Sequence, residues 1–500
     1  MNQENRLTPE AKADIQGFIT SGFGHLPSTA YLFLEIGDRA RAQKWLKELR
    51  PQLTTAASWR STPEAPKLKP ERTLNIAFTY SGLRALGMSE AGLHTFPSEF
   101  CEGMASTERS RILGDTGESA PAKWELGGPQ NAMIHMVLIL NAQTRADLDA
   151  WCGELRQSLQ AMQGGVVEHE SSAQYGERPE HGREPFGFFD GIAQPQIEGI
   201  KGKGVRTGEF ILGYPNEYGF HPLSPVVPAA EDPNHILPES ANPYHKSYGY
   251  RDLGINATFI VYRKLEQDVA SFWRFLQNES VRLKDEVDPG FMVWLAAKMV
   301  GRWPSGAPLV LTPDRDQPML LSDDFLYAKG DAQGLACPFG AHIRRTNPRD
   351  QIGPAGQIES LHMSARHRIL RRGKPYGPPL FDPTVLTQVD QPAALQAILD
   401  LQDDGQPRGL HFLCANASIK SQFEFIQQAW ANNPSFGGLA DNRDPLIGDN
   451  DPLTAPGGML IPGNRSTLRT APLPRFVTVR GGAYLFMPGL TTLRYLAEQR

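Results

Sequence analysis

The chain has 500 residues, 40% hydrophobic and 21% charged, with a formal net charge of -5. That length exceeds what one core usually organises, so two domains or two packed halves are expected. The charge balance lacks the basic excess that nucleic acid or an anionic membrane surface selects, which excludes those partners.

The N-terminal stretch MNQENRLTPEAKADIQG is charged throughout and holds no apolar signal core. The longest good apolar run, MIHMVLIL at 133–140, is too short to span a bilayer. The four cysteines, Cys101, Cys152, Cys337 and Cys414, are far apart and form no CxxC pair, so neither a disulfide framework nor a structural zinc site is expected. A cytoplasmic protein fits these features best. The 48 Gly and 41 Pro are mixed with aromatic and aliphatic residues, which points to long ordered loops rather than disorder.

In chain order, AYLFLEIGDRARAQKWLKEL at 30–49 reads as a strand followed by a helix with apolar positions at Ala42, Trp45, Leu46 and Leu49. A second strand and helix are expected over 132–160, and a closing strand over 165–173. The pattern then repeats. ATFIVYRKLEQDVASFWRFL at 257–276 is again strand then helix, as is GLHFLCANASIKSQFEFIQQAW at 409–430. Asn141 to Thr144 and Asn416 to Ser418 offer cap residues. FVTVRGGAYLFMPG at 476–489 reads as a hairpin turning at Gly481-Gly482. A β-α-β…β-α-β order in both halves predicts an α+β chain of two ferredoxin-like domains, 1–250 and 251–500. Each is expected to be a mostly antiparallel sheet with peripheral helices, the joint lying in the Pro- and Tyr-rich stretch near 215–255.

Three stretches could carry chemistry. EPFGFFDGIAQP at 184–195 places Asp190 among Phe186, Phe188 and Phe189. Alone, the Asp-Gly pair reads as a turn; in such apolar company the carboxyl is also suited to holding and passing a proton. CPFGAHIRRTNPRD at 337–350 sets His342 beside Arg344, Arg345 and Arg349, either a basic surface loop or a metal ligand next to guanidinium groups for an anionic cofactor. SARHRILRRGKPYGPP at 364–379 predicts a short strand that sends one of Arg371 and Arg372 inward, where it needs an anion. No GxGxxG, GxxxxGK[ST], HExxH or GxSxG motif is present in a fitting context, which removes the common nucleotide, zinc-protease and hydrolase readings.

Together, GFFDG at 187–191, AHIRRTNPR at 341–349 and ILRRGKPYG at 369–377 resemble the dye-decolorising peroxidases, a haem family, over most of the chain. The long loops are similar to those of the larger, class V members. The resemblance implies haem b in the C-terminal half, with His342 as iron ligand, Asp190 as distal acid–base group and Arg371 as distal arginine. It further implies that Arg344 or Arg349 faces a haem propionate, and that Leu410 and Phe412 line the distal pocket. Tyr376 would be a radical site, and Glu424 a candidate acceptor for the second His342 nitrogen. The implied partners are hydrogen peroxide and a small aromatic reductant; the sequence leaves the oligomeric state open. Competing readings are a haem- or porphyrin-handling protein of the same fold and a non-catalytic haem-binding module.

Overall fold

A computed structural model describes residues 7–57, 69–169, 172–200, 204–352, 356–388 and 392–499. In the first half, Ser28–Ile36 (β1) leads into Arg39–Leu49 (α1), Arg72–Phe78 forms β2, Met136–Ala142 (β3) leads into Arg145–Ala161 (α2), and Val166–Glu168 and Gln174–Glu177 form β4 and β5. The strand expected over 165–173 is thus confined to Val166–Glu168, and residues 170 and 171 lie outside the described residues. In the second half, Thr258–Gln267 (β6) leads into Val269–Lys284 (α3), Leu370–Arg371 and Lys374–Tyr376 are β7 and β8, and Gly409–Asn416 and Val477–Met487 are β9 and β10. Helix starts follow local chemistry. Asp38 accepts from the Arg41 amide at 2.9 Å at the head of α1, and Thr144 accepts from the Asp147 amide at 3.1 Å at the head of α2. Each such cap contributes about 1 kcal/mol.

The strands form one antiparallel sheet in the order β8-β9-β6-β10-β2-β3-β1-β4, with β7 added on β9 and β5 on β1. Within it the first half runs β2-β3-β1-β4 and the second runs β8-β9-β6-β10, so each half shows the same ferredoxin-like order. The halves join where Phe486 of β10 pairs with Phe78 of β2. At the other end β5 approaches β8 and β9, with His411 Nε2 3.2 Å from the Tyr175 carbonyl.

The expected hairpin at 476–489 is instead one continuous strand, β10. Its register slips between Val479 and Gly481, where a β-bulge leaves Arg480 as the extra residue and Gly481 and Gly482 pair with Lys264 and Arg263. The bulge takes in a neighbouring loop, the Glu125 amide donating to the Arg480 carbonyl at 2.7 Å and the Gly482 amide to the Leu126 carbonyl at 3.2 Å.

Alternation along the strands assigns the two faces. In β1, Leu32 and Leu34 pack with Trp45, Leu46, Leu148 and Trp151 of α1 and α2, whereas Tyr31 and Phe33 meet Tyr262, Leu413 and Leu485 across the curled sheet. In β6 the outer face begins apolar, with Phe259 and Val261, and then changes character at Arg263, Leu265 and Gln267. The functional cavity begins there. All four cysteines are free, and among the described residues no helix is long and apolar enough to cross a membrane.

Candidate functional site

A cavity of about 290 Å³ lies on the outer face of the second-half sheet. Its floor is Arg263, Leu265 and Gln267 of β6, Leu410 and Phe412 of β9, and Val477 and Val479 of β10. The two His-Arg stretches at 342–349 and 367–371, the Asp190 turn, the helical segment at 420–431 and the loop at 446–449 close over it. The segment at 420–431 is expected to be an ordinary amphipathic helix. It is wound as π-helix over Lys420–Glu424 and Ile426–Ala431, with the Glu424 amide donating to the Ile419 carbonyl at 2.9 Å, and it turns Phe423, Ile426 and Gln427 into the cavity.

His342 opens the short helix His342–Thr346 (α4) and lines the cavity. Its Nδ1 lies 3.0 Å from Asp444 Oδ2, and the Asp444 side chain is fully buried. Asp444 Oδ1 accepts from the Leu446 and Ile447 amides at 2.9 and 3.0 Å, so the carboxylate is fixed. Burial would raise the Asp444 pKa, but His342, the amide donors and Arg345 outweigh it and hold the group below its ordinary value. A carboxylate held this way accepts a hydrogen bond from the Nδ1–H of the imidazole and leaves the Nε2 lone pair for the cavity.

Glu424, the expected acceptor for His342, does not occupy that position. It accepts from the Tyr484 hydroxyl at 2.8 Å and from Arg109 Nη1 at 3.0 Å, held on the side of the π-helical segment that faces β10. Nothing local marks Asp444, since Asp-Pro within DNRDPLIGDN carries the ordinary signature of a turn.

Asp190 and Arg371 meet in the cavity, Arg371 Nη1 lying 3.3 Å from Asp190 Oδ1. The two-residue strand β7 produces this. Leu370 is buried in the sheet core, Arg371 points the other way into the cavity, and Arg372 turns back to donate to the Phe18 and Ile19 carbonyls at 3.0 and 2.9 Å. The Asp190 turn needs its glycines. Gly187 and Gly191 have φ of 104° and 90°, and a Cβ at Gly187 would come within 2.4 Å of Leu386. The aromatic residues do not enclose Asp190, whose side chain is 42% exposed. The carboxyl they desolvate is Glu184, also on the cavity wall, which burial pushes up to about 7.

A folded-state pKa above the usual value for glutamate means that the native state holds a proton the unfolded chain has released. The stability Glu184 contributes is therefore fully present below about pH 4.5 and is lost as pH rises towards 7. Buried Glu209, also pushed up to about 7 by burial, acts in the same direction. Melting curves at intervals from pH 4 to 8 are expected to show a shallower decline for Glu184→Gln with Glu209→Gln than for the natural chain; equal slopes would contradict the linkage.

The arginines separate by role. Arg344, expected near a propionate, is fully committed elsewhere: it donates to Cys337 O at 2.5 Å, to the Asp331 carboxylate at 3.0 Å and to Gln351, and sits 4.3 Å from the rings of both Tyr327 and Phe339. Its position braces the loop and does not reach the cavity. Arg349 does line the cavity, bound to Asp323 at 2.5 Å and stacked 3.9 Å over Phe325, with its Nε unbonded. Arg368, which no local signal distinguishes from its basic neighbours in sequence, also lines the cavity. Among the described residues its guanidinium has no hydrogen bond or ion pair, and burial, helped by Arg349 and Arg371, lowers its pKa to about 10. Arg302, also on the cavity wall, shares Asp323 with Arg349, so Arg302, Arg349, Arg368 and Arg371 have only Asp323 and Asp190 as ion-pair partners, an excess of positive charge for an anionic occupant.

Leu410 and Phe412 lie where expected, on the cavity floor. Tyr376 lies outside the lining, its ring 4.6 Å from that of His411 and its buried hydroxyl unbonded. The donor set suits haem: the His342 lone pair, an apolar bed and surplus guanidinium charge for carboxylate tails.

The chain matches, over residues 14–174, the family profile described as the DyP dimeric alpha+beta barrel domain. It is 30% identical over 506 residues to the dye-decolorizing peroxidase of Exidia glandulosa, covering 96% of this chain and 86% of that protein. It is also 30% identical over 479 residues to the multifunctional dye peroxidase DyP2 of an Amycolatopsis species, covering 93% and 91%. Among solved structures, a fungal DyP-type peroxidase from Auricularia auricula-judae superimposes with a TM-score of 0.72 at 27% identity, covering 97% of this chain and 99% of that one. A dye-decolorizing peroxidase in complex with 2,6-dimethoxyphenol matches with a TM-score of 0.72 at 26% identity and the same coverage.

Proposed function

This chain belongs to the dye-decolorising peroxidase family and is a peroxidase, and on that premise we propose that it holds haem b in the cavity, reduces hydrogen peroxide there and oxidises dyes, phenols and related small aromatics by one-electron steps. The observation that carries the reading is the meeting of three groups on one cavity: His342 backed by Asp444, and Asp190 paired with Arg371. The haem, when bound, supplies an iron that takes up peroxide and passes its oxidising equivalents to the reductant.

The chain's own part follows from the geometry. His342 Nε2 would ligate the iron, and Asp444 would make that imidazole more basic by drawing on its Nδ1 proton. Arg349 and Arg368 would hold the propionates, Arg368 by a charge it has no other means of balancing. Asp190 would take the proton from one peroxide oxygen and return it to the other, while Arg371 neutralises the charge that grows on the departing oxygen. Leu410 and Phe412 would keep water from that side. Tyr376, its ring 4.6 Å from that of His411, which lies between the cavity-lining Leu410 and Phe412, is the residue we assign to carrying an electron past the wall for a reductant too large to enter.

The same reading takes residues 1–250 and 251–500 as the two units, the second holding the haem and the first lending Asp190 across the joint. The unpaired cysteines fit a reducing compartment and so support action in the cytoplasm. The deciding experiment is an absorption spectrum of haem-loaded protein before and after one equivalent of peroxide, followed by dye bleaching. An unchanged spectrum would sink the reading.

Two substitutions test the cofactor contacts. Asp444→Asn and Arg368→Leu are each expected to weaken haem retention by roughly 10- to 100-fold, the usual cost of removing an outer partner of a metal site. Haem titration of the apoprotein measures this, and binding as tight as in the natural chain would remove the residue concerned from the cofactor site.

A further inference from the structure

The turn that presents Asp190 is held by a carboxyl to which the reaction described above gives no part. Glu184 Oε2 accepts from the Phe186 amide at 3.0 Å and from Gln267 Nε2 at 2.7 Å, and Oε1 accepts from the Phe188 amide at 2.9 Å. The Glu184 backbone closes the same turn, its N–H donating to the Phe188 carbonyl at 2.9 Å and its carbonyl accepting from the Gly187 amide at 2.8 Å. Immediately beyond, the Phe189 amide donates to the Pro304 carbonyl and the Asp190 amide to the Gly182 carbonyl, both at 3.0 Å. Asp190 itself has little to fix it: Arg371 at 3.3 Å and the neighbouring Gly191 amide at 2.6 Å are its side-chain partners among the described residues. Its position is therefore inherited from the turn, which two side chains hold: Glu184, anchored to β6 through Gln267, and Arg183, whose Nη1 donates to the Gly187 and Pro304 carbonyls at 3.0 and 2.5 Å.

We propose that Glu184 is a positioning residue for the peroxide step: by gathering the Phe186 and Phe188 amides and the Gln267 side chain, it fixes the Asp190 carboxyl against Arg371. The inference rests on Asp190 being the group that moves the peroxide proton. The ionised carboxyl suits this role because all three of its partners are donors, whereas an amide in its place, like the protonated carboxyl, must turn a donor towards one of them. Gln267 is the link that ties the turn to the sheet, so the same role extends to it.

The test has two arms, on Glu184→Gln, Glu184→Leu and Gln267→Leu. In the apoprotein, hydrogen exchange of the Phe186 and Phe188 amides is expected to quicken by about tenfold or more, the scale of losing a hydrogen bond to a charged group. In the haem-loaded protein, the rate of reaction with peroxide is expected to fall by about tenfold or more at full haem content, as a displaced proton donor requires. The KM for the aromatic reductant should not move. Unchanged amide exchange overturns the proposal, whatever the activity. Faster exchange with an unchanged peroxide rate also overturns it, since the turn would then be held without being needed. A general loss, in which haem content and reductant KM change along with the peroxide rate, shows a structural role only. Natural protein inert to peroxide would instead sink the peroxidase reading itself, a failure separate from that of Glu184.

Discussion

Replacing His342 by alanine is expected to remove the intense absorption of bound haem and to reduce peroxide-driven dye oxidation by on the order of a thousandfold or more, the scale seen when an indispensable group is deleted from a site that works as a unit. The loss should be chemical rather than structural. His342 stands at the head of a short helix, and its side chain makes a single hydrogen bond, to Asp444, so alanine leaves the backbone contacts of α4 intact. Asp444 keeps its two amide donors, and its buried charge keeps Arg345 nearby, although it loses the partner that does most to lower its pKa. A modest fall in melting temperature with an unchanged far-ultraviolet circular dichroism spectrum is the expected companion. Added imidazole should enter the space left by the side chain, donate its N–H to Asp444 as His342 does and restore part of both signals. Haem absorption and activity that both survive the substitution would place the iron on another residue and overturn the assignment.

How much of this was legible beforehand depends on the range of the interaction that fixes each feature. The four strand-helix pairs could be read because periodicity and capping are local: Trp45 and Leu46 face the core for the reason their spacing gives, and Thr144 caps for the reason its hydroxyl gives. That one of Arg371 and Arg372 enters the site could be read because alternation in a short strand is local too, while the choice of Arg371 came from the family resemblance. Asp444 could not be read, since nothing within DNRDPLIGDN says that His342, 102 residues earlier, ends beside it. Glu424 was favoured because it lies in a helix near the right strand, yet π winding and the pull of Tyr484 and Arg109 carry it away from His342. Arg344 and Arg349 looked equivalent in sequence. They differ because Asp331, Tyr327 and Phe339 surround the first, while the second keeps an edge to the cavity. Gly481-Gly482 was misread for a related reason: two glycines announce an unusual backbone, but whether it turns or bulges is set by the loop at Leu126 that docks there.

Arg371→Leu should leave haem bound and slow the reaction with peroxide by about 100- to 1000-fold, the cost of deleting one preorganised donor aimed at developing charge. The strand contacts of residue 371 survive, because they are made by its backbone: it pairs with Cys414, and its amide donates to Gln194 Oε1 at 3.1 Å. Asp190→Asn should slow the same step by about 100- to 10,000-fold, the range for losing a positioned acid–base group. The informative measurement is the double variant. If Asp190 moves the proton while Arg371 meets the charge that the movement creates, each loses most of its effect once the other is gone, and the combined loss falls well short of the product of the two. Stopped-flow mixing of each haem-loaded variant with peroxide gives all the rates required. Losses that multiply would mean that the 3.3 Å contact between the two side chains is incidental to the reaction, with two groups acting on separate steps. Losses that saturate would make the pair one device, in which the guanidinium both orients the carboxyl in the cavity and receives the charge its proton leaves behind.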